Sequence, residues 1–273
     1  MKTRLKAAGI HFLLSLLIVS AVLCFFAFVW YSAPLFVLQD LHKVVITLVA
    51  VDIVLGPLLT LIVFNPQKKS IKFDLLVIGI IQISALSYGI YTSYISRPIY
   101  VVFCDGRFNS VTANEYAYLN LKKIPPDNPY LKLSVTGPLW LGAVKPDKLS
   151  KADEMDLDFA TVLGDGLRVM PQYYVPYEKV KSDVIKASKP ASSLDLSEEK
   201  LIERLKTSKK LEKGEPSLEQ VRSLKRWLLK LNLPLEKIGL VTIKGRENYA
   251  IIAVDLGTAQ VIDSVSIDPW WYQ

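Results

Sequence analysis

The residue with the clearest chemical meaning is Asp52, because it lies in the middle of the apolar run 44–64. An ionised carboxylate at the centre of a membrane helix costs about 2.5–3.5 kcal/mol on insertion scales, so it must face other helices or carry a proton. Two interpretations stay open: Asp52 makes a structural contact within a helix bundle, or it contacts the transmembrane helix of a partner. Proton transport is a third, but a single carboxylate is a thin basis for a pathway.

Three more residues belong with Asp52 in a candidate binding surface. Pro57 has no N–H, so we expect it to free the carbonyl of Ile53 and kink the helix. Gly56 beside it leaves a notch in which another helix could approach closely. Gln82 lies in the next apolar run, roughly 8 Å from the depth of Asp52 at about 1.5 Å per residue, so a hydrogen bond between them is uncertain. We predict that Asp52, Gly56, Pro57 and Gln82 shape a helix-docking surface.

Enzymatic signatures are absent from the sequence. It contains no zinc-protease, nucleophile-elbow, P-loop or C-x-x-C motif, and its two histidines, His11 and His42, both lie in the N-terminal third. A histidine-based triad or metal cluster is therefore excluded beyond residue 96. Carboxylate chemistry stays open, since 23 acidic residues follow residue 96, but their spacing singles out no pair. We expect a non-enzymatic protein with no cofactor and no metal.

Hydrophobicity is concentrated in the first third of the 273 residues. The runs at about 8–31, 44–64 and 75–95 each reach the length of roughly 20 apolar residues that crosses a bilayer. The first run is too long for the apolar core of a cleaved signal peptide and has no A-x-A site after it, so we expect an uncleaved anchor. A soluble single domain is excluded, and nucleic acid is a poor candidate partner because the basic charge does not belong to one folded domain.

The positive charges predict the orientation. Basic side chains cluster before the first run and in the loop 65–74, at Lys2, Arg4, Lys6, Lys68, Lys69 and Lys72. The loop between the first two runs contains a single lysine, Lys43. The positive-inside rule then places the N-terminus in the cytoplasm. Three crossings place the region after residue 96 on the far side, which in a bacterium is the periplasm, and the membrane is the inner one.

The sequence as a whole predicts two regions: a three-helix transmembrane region at 1–96 and a periplasmic α+β domain at 97–273. Strand patterns and helix signals alternate through the second region. The predicted strands are 99–103, 238–243, 249–256 and 260–267, and the predicted helices are 112–121, 197–211 and 217–231. Cys104 is expected to be buried and not to pair with Cys24, which lies in the first run.

Several motifs together resemble a known family. They are Lys6-Ala7-Ala8-Gly9-Ile10-His11, the stretch VDIVLGPLLTL at 51–61, Val63-Phe64-Asn65-Pro66, and Arg97-Pro98-Ile99-Tyr100-Val101-Val102-Phe103. Over about the first 110 residues the chain resembles the type IV pilin accessory proteins, the TfpX/TfpZ family. The similarity is specific, because several uncommon dipeptides occur in the same order, and beyond that point only scattered features match.

This resemblance implies an inner-membrane, chaperone-like accessory factor for type IV pilus biogenesis. Its implied partner is the major pilin, and no enzymatic activity is implied. A pilin has one helix in lipid and a globular head in the periplasm. The polar notch of this protein could contact that helix, and its periplasmic domain could contact that head. An envelope sensor, an assembly factor unrelated to pilin and an enzyme that modifies pilin or a glycan remain alternatives. The oligomeric state is left open.

Overall fold

The computed structural model describes residues 1–117, 124–162, 165–194, 218–246, 248–267 and 269. The chain forms two compact units, which we call the membrane unit (Met1–Ser32 and Asp40–Arg97) and the sheet unit (Ala33–Gln39 and Pro98–Gln273). The sequence suggested a single division after residue 96. The structure adds that the short connection between the first two apolar runs belongs to the second unit.

Three helical segments of the membrane unit are long and apolar enough to cross a bilayer, at Lys2–Trp30, Leu41–Val63 and Ile71–Ile95. The first is α1 (Lys2–Phe25) with a π-helical end (Phe26–Trp30); the second is α3 (Leu41–Leu48), a π-helix (Val49–Leu55) and α4 (Gly56–Val63); the third is α5 (Ile71–Ile95). Large apolar side chains point outwards, as expected for a lipid-facing surface: Leu17 is 68% exposed and Phe28 83%. The protein is a membrane protein, and the three predicted spans are confirmed.

The observed helix ends change the predicted depths of the polar residues. Helix α5 begins at Ile71, four residues earlier than the third apolar run, so Gln82 is the eleventh residue after its start. Asp52 is the eleventh residue before Val63, the last residue of α4. Gln82 and Asp52 therefore lie at the same number of residues from the helix ends on that side of the membrane. The sequence had suggested different depths because it did not include the polar residues at the start of α5 in the helix.

The sheet unit is built on one mixed sheet with the order β4-β3-β1-β2-β6-β7-β8, in which β5 also pairs with β6. Its strands are β1 (Pro98–Cys104), β2 (Arg107–Thr112), β3 (Leu139–Ala143), β4 (Tyr174–Pro176), β5 (Lys189–Pro190), β6 (Ile238–Lys244), β7 (Tyr249–Asp255) and β8 (Val261–Val265). Its helices are α2 (Leu35–Leu38), α6 (Ala113–Ala117), α7 (Lys151–Val162), α8 (Lys181–Ala187) and α9 (Leu218–Lys230). The prediction of transmembrane helices followed by an α+β domain is confirmed.

Buried side chains cover both faces of the sheet because successive strand residues point to opposite faces. In β1, Val101 and Phe103 join one apolar cluster, whereas Tyr100 and Val102 join another. Helix α9 packs over the β6–β7 part of this second face through Leu224, which is fully buried. The predicted helix 197–211 lies outside the described residues.

The connection that follows the first span is part of the sheet unit's core. Leu35 and Leu38 are each 1% exposed and belong to the same apolar cluster as β6 and β7. The Gln39 amide donates a hydrogen bond of 2.9 Å to the Ser110 hydroxyl of β2. At Gly245 a Cβ atom would lie 2.6 Å from the Leu38 carbonyl oxygen, so only glycine allows this close approach.

Cys104 is buried, as predicted, and both cysteines are free thiols. Burial raises the pKa of the Cys104 thiol to about 12, and the neighbouring Asp105 carboxylate adds to the shift. The thiolate is the reactive form of cysteine, so Cys104 is expected to be chemically inert at neutral pH.

Candidate functional site

The site begins with a local change of helix type around Asp52. The N–H of Gly56 bonds to the carbonyl of Val51, five residues earlier, which is the π-helical pattern. In the same pattern the Asp52 carbonyl would accept from residue 57, but Pro57 has no N–H. The carbonyl that needs an external donor is therefore that of Asp52. The sequence had pointed to Ile53, one residue later, because it assumed a regular α-helix.

Gln82 of α5 supplies this donor. Its side-chain amide donates a hydrogen bond of 3.1 Å to the Asp52 carbonyl. Gly56 makes the approach possible, since a Cβ atom there would lie 2.1 Å from the Gln82 amide nitrogen. The notch beside Gly56 and Pro57, in which the sequence analysis placed a partner helix, is thus occupied by Gln82.

His11 of α1 brings the first span into this network. Its Nε2 lies 2.7 Å from the Gln82 side-chain oxygen, which can only accept, so Nε2 carries the hydrogen. Its Nδ1 lies 2.6 Å from the hydroxyl of Thr60, which donates to it when the imidazole is neutral. We call Thr60, His11, Gln82 and the Asp52 carbonyl the polar chain. Its hydrogen bonds connect all three spans. The hydrophobic effect does not drive helices together in lipid, so such hydrogen bonds contribute to their association.

The Asp52 side chain, in contrast, is not satisfied by the polar chain. Asp52 is 4% exposed, and its Oδ2 atom has no hydrogen-bond donor among the described residues. An unpaired polar group is costly where water is absent, and more so when it is charged. A purely structural role for this carboxylate would require a donor within the bundle, and Oδ2 has none in the described part of the chain.

A cavity of about 240 Å³ lies next to this carboxylate. Asp52, His11 and Gln82 give it a polar end, and the rest of its wall comes from α1 and α5. Those remaining residues are Leu14, Ser15, Ile18, Val19, Gly79, Ile83 and Leu86. An apolar cavity of about 150 Å³ can hold a benzene-sized group, so this one has room for a single side chain. The space around Gly79 is open, since a Cβ atom there would meet nothing within 4 Å.

The four residues predicted from the sequence thus divide into two roles. Asp52 and Gln82 line the cavity, whereas Gly56 and Pro57 are buried and shape the Asp52 carbonyl and its contact with Gln82. Sequence reasoning missed His11 as a site residue. The available signal was a histidine inside an apolar span, within one of the motifs that carry the family resemblance.

The described part of the sheet unit contains a partly buried charged network around Arg168. The guanidinium donates to the Glu115 carboxylate at 3.2 Å, to the Asp165 carboxylate and to the Ser110 carbonyl at 3.3 Å. Arg168 thereby links the loop after α7 to strand β2 and helix α6. No cluster of three potential metal-ligating side chains occurs in the part of the chain that the structure describes.

Comparison with curated proteins finds clear relatives. The chain is 32% identical over 187 residues to the fimbrial assembly protein of serogroup I from Dichelobacter nodosus, covering 68% of this chain and 71% of that protein. This chain belongs to the fimbrial assembly protein family. The protein of serogroups C1 and C2 from the same organism is 42% identical over 100 residues, covering 36% of this chain and 76% of that relative. No protein-family profile and no solved structure matches the chain.

Membership in the fimbrial assembly family supports a role in pilus biogenesis. It also confirms the resemblance to type IV pilus accessory proteins found in the sequence motifs. Residues 6–11 and 51–61, which carried that resemblance, contain His11, Thr60 and Asp52, so the polar chain is built largely from the recognisable motifs of the chain.

Proposed function

We propose that this member of the family is a non-enzymatic, chaperone-like accessory factor of the bacterial inner membrane that binds the major pilin during type IV pilus biogenesis. It binds pilin through its transmembrane helices and through the sheet unit. The names of its relatives and its three membrane spans support this role. No nucleic acid and no cofactor takes part in it.

In this proposal the N-terminus is cytoplasmic and the sheet unit is periplasmic. The basic residues before the first span and in the loop 65–74 support this orientation through the positive-inside rule. The core packing of Leu35 and Leu38 supports the number of crossings. The segment 33–39 follows one crossing and the region 98–273 follows three, so both lie on the same side of the membrane. This agrees with their belonging to one unit.

The observation that carries the proposal is the Oδ2 of Asp52, which has no hydrogen-bond donor among the described residues and lies beside a cavity in the membrane unit. The pilin helix packs along α1 and α5 and places one hydrogen-bond donor in the cavity, where it pairs with this oxygen. A hydrogen bond to a charged group contributes about 1.5–3 kcal/mol, which is enough to change the affinity of two helices by about tenfold or more.

The test compares two acid-to-amide variants of the full-length protein. Asp52→Asn keeps the size of the side chain but replaces one carboxyl oxygen by an amide group that donates, whereas Asp74→Asn changes an acid in the first turn of α5 that does not line the cavity. We expect Asp52→Asn to lower pilin co-purification and surface piliation by about tenfold at unchanged protein level, with Asp74→Asn close to wild type. Normal piliation with stably expressed Asp52→Asn would contradict the proposal.

The alternative functions predict other outcomes in the same strains. If the protein modifies pilin or its glycan, deleting the gene changes the pilin mass, whereas the accessory role leaves that mass unchanged. If it is a sensor or an assembly factor unrelated to pilin, photocrosslinks from the sheet unit capture another protein in place of pilin.

A further inference from the structure

Helix α7 of the sheet unit has an unusual outer face. Met155, Phe159 and Val162 are 72%, 66% and 83% exposed and follow one another at helical spacing, so they form an apolar stripe. Leu157, on the opposite side, is 7% exposed and anchors the helix on the core. A contiguous exposed apolar stripe on a folded helix is typical of an interaction surface.

The charges beside this stripe have a counterpart on helix α9. In α7, the exposed charged residues Lys151, Glu154 and Asp158 are three and four residues apart. Their charges are, in order, positive, negative and negative. In α9, Glu219, Arg222 and Arg226 are exposed at the same two intervals with every sign reversed. When the two helices are placed parallel with residue 151 beside residue 219, each of the three charges faces an opposite one.

The same alignment places one exposed apolar side chain of α9 next to the C-terminal end of the stripe. It brings Thr161 of α7 beside Leu229 of α9, which is 70% exposed. The aliphatic stems of Arg222 and Arg226 extend the apolar surface around Leu229, because long basic side chains keep only their heads in water. Both helix faces are exposed in the same unit, so they cannot cover each other within one molecule.

We propose that the outer face of α7 docks in parallel on the outer face of α9 of a second copy of this chain, so that the protein self-associates through its sheet units. Single surface ion pairs are weak, and two helix faces form a small interface. Anchoring in the same membrane compensates for this weakness, because it raises the effective concentration of one copy near another. The inference does not depend on pilin binding.

The test uses full-length protein in membrane vesicles, with two differently tagged copies in a Cys24→Ser background. One copy carries Thr161→Cys and the other Leu229→Cys, and a short bis-maleimide links nearby thiols. The matched control replaces Thr161→Cys by Lys148→Cys, another exposed position of the sheet unit. We expect at least about fivefold more crosslinking between the two tags for the Thr161–Leu229 pair than for the control pair.

Charge reversal then tests the alignment itself. Glu154→Lys with Asp158→Lys in the first copy should reduce the crosslink to the control level. Arg222→Glu with Arg226→Glu in the second copy should restore it, because the signs are again opposite. A crosslink at the control level, one that forms only within single chains, or one that ignores both reversals overturns the proposal.

Discussion

Two charged side chains, Asp52 of the membrane unit and Arg168 of the sheet unit, lie largely buried but differ in the partners that surround them. In the sheet unit, the two terminal nitrogens of Arg168 meet two carboxylates, Glu115 and Asp165, and a backbone carbonyl, and its Nε alone has no hydrogen-bond partner among the described residues. In the membrane unit, Asp52 keeps its Oδ2 without a donor among the described residues, although a histidine and a glutamine lie beside the same cavity. His11 bonds to Gln82 and to Thr60, Gln82 also donates to the Asp52 carbonyl, and neither side chain bonds to this oxygen.

The difference separates a structural charge from one that is available for binding. Removing a partner of a buried ion pair lowers stability, because it leaves an uncompensated buried charge. A buried charge without a partner is a standing cost in the isolated protein, which a hydrogen-bond donor from another molecule can remove. The comparison therefore predicts that changes at Arg168 alter folding, whereas changes around the Asp52 cavity alter partner binding.

The largest effect is expected at Arg168. Arg168→Met removes the cation and leaves Glu115 and Asp165 facing each other in a partly buried site, so we expect the unfolding free energy of the sheet unit to fall by about 3 kcal/mol. Denaturant titration of the full-length protein in detergent, followed by tryptophan fluorescence, measures this loss. A change below about 1 kcal/mol, the value of an ordinary surface pair, would show that the network is not structural.

The next effect is expected in the polar chain. Gly56→Ala places a methyl group on the Gln82 amide and deprives the Asp52 carbonyl of its donor, so we expect a loss of about 1–3 kcal/mol in the stability of the membrane unit. Thermal denaturation in detergent gives the measurement. Gly9→Ala is the control, because a Cβ atom at Gly9 meets nothing within 4 Å.

A double-mutant cycle sharpens this prediction. In the Gln82→Ala background the amide that clashes with residue 56 is gone, so Gly56→Ala should cost much less than it does in the wild type. Equal costs in the two backgrounds would mean that the close contact between Gly56 and Gln82 does not form.

Filling the cavity should affect binding alone. Gly79→Leu projects a side chain into open space beside Asp52, so we expect pilin co-purification to fall by about tenfold while the melting temperature stays within the error of wild type. Gly9→Leu adds the same side chain to α1 at a position that does not line the cavity. If both variants bind pilin as well as wild type does, the partner does not enter this cavity.

The smallest effect is expected at a charge that is exposed. The Asp255 carboxylate accepts hydrogen bonds from the Thr258 hydroxyl, the Thr258 N–H and the Gly257 N–H, and these lower its pKa. A lowered pKa contributes stability above the unfolded value of about 3.9, and this stability is lost as the pH falls through the lower folded value. Asp255→Asn should slightly lower the melting temperature at neutral pH and flatten its fall below about pH 4. Asp147→Asn, at another exposed acid, should leave both unchanged.

Much of the membrane unit could be predicted from sequence because long apolar runs have one viable structure in lipid. Asp52 and Gln82 were identifiable because polar residues in such runs are conspicuous. The contact of His11 with Thr60 and Gln82 was not, since it depends on how three helices rotate against one another. The shift from α- to π-helical bonding before Pro57 leaves no periodic signal, which is why the free carbonyl was assigned one residue too late.

In the sheet unit, strands β1, β6, β7 and β8 were predicted from their patterns, whereas β2, β3, β4 and β5 and the order of the strands were not. The parallel pairing of β2 with β6 joins segments more than 120 residues apart, for which no local signal exists. The incorporation of Leu35 and Leu38 into the core was hidden for the same reason. A short apolar stretch in a loop between two spans carries no signal of the distant strands on which it packs.

The most direct test of the central claim is photocrosslinking in living cells from two matched positions of the membrane unit. Ile83 lines the cavity, whereas Ile46 of α3 does not, and the two side chains are 66% and 65% exposed. A photoreactive residue at 83 should form an adduct with the major pilin that disappears in the Asp52→Asn background, and the same residue at 46 should form none. Equal adducts from both positions, or no pilin adduct from position 83 in a stably expressed protein, would contradict the account.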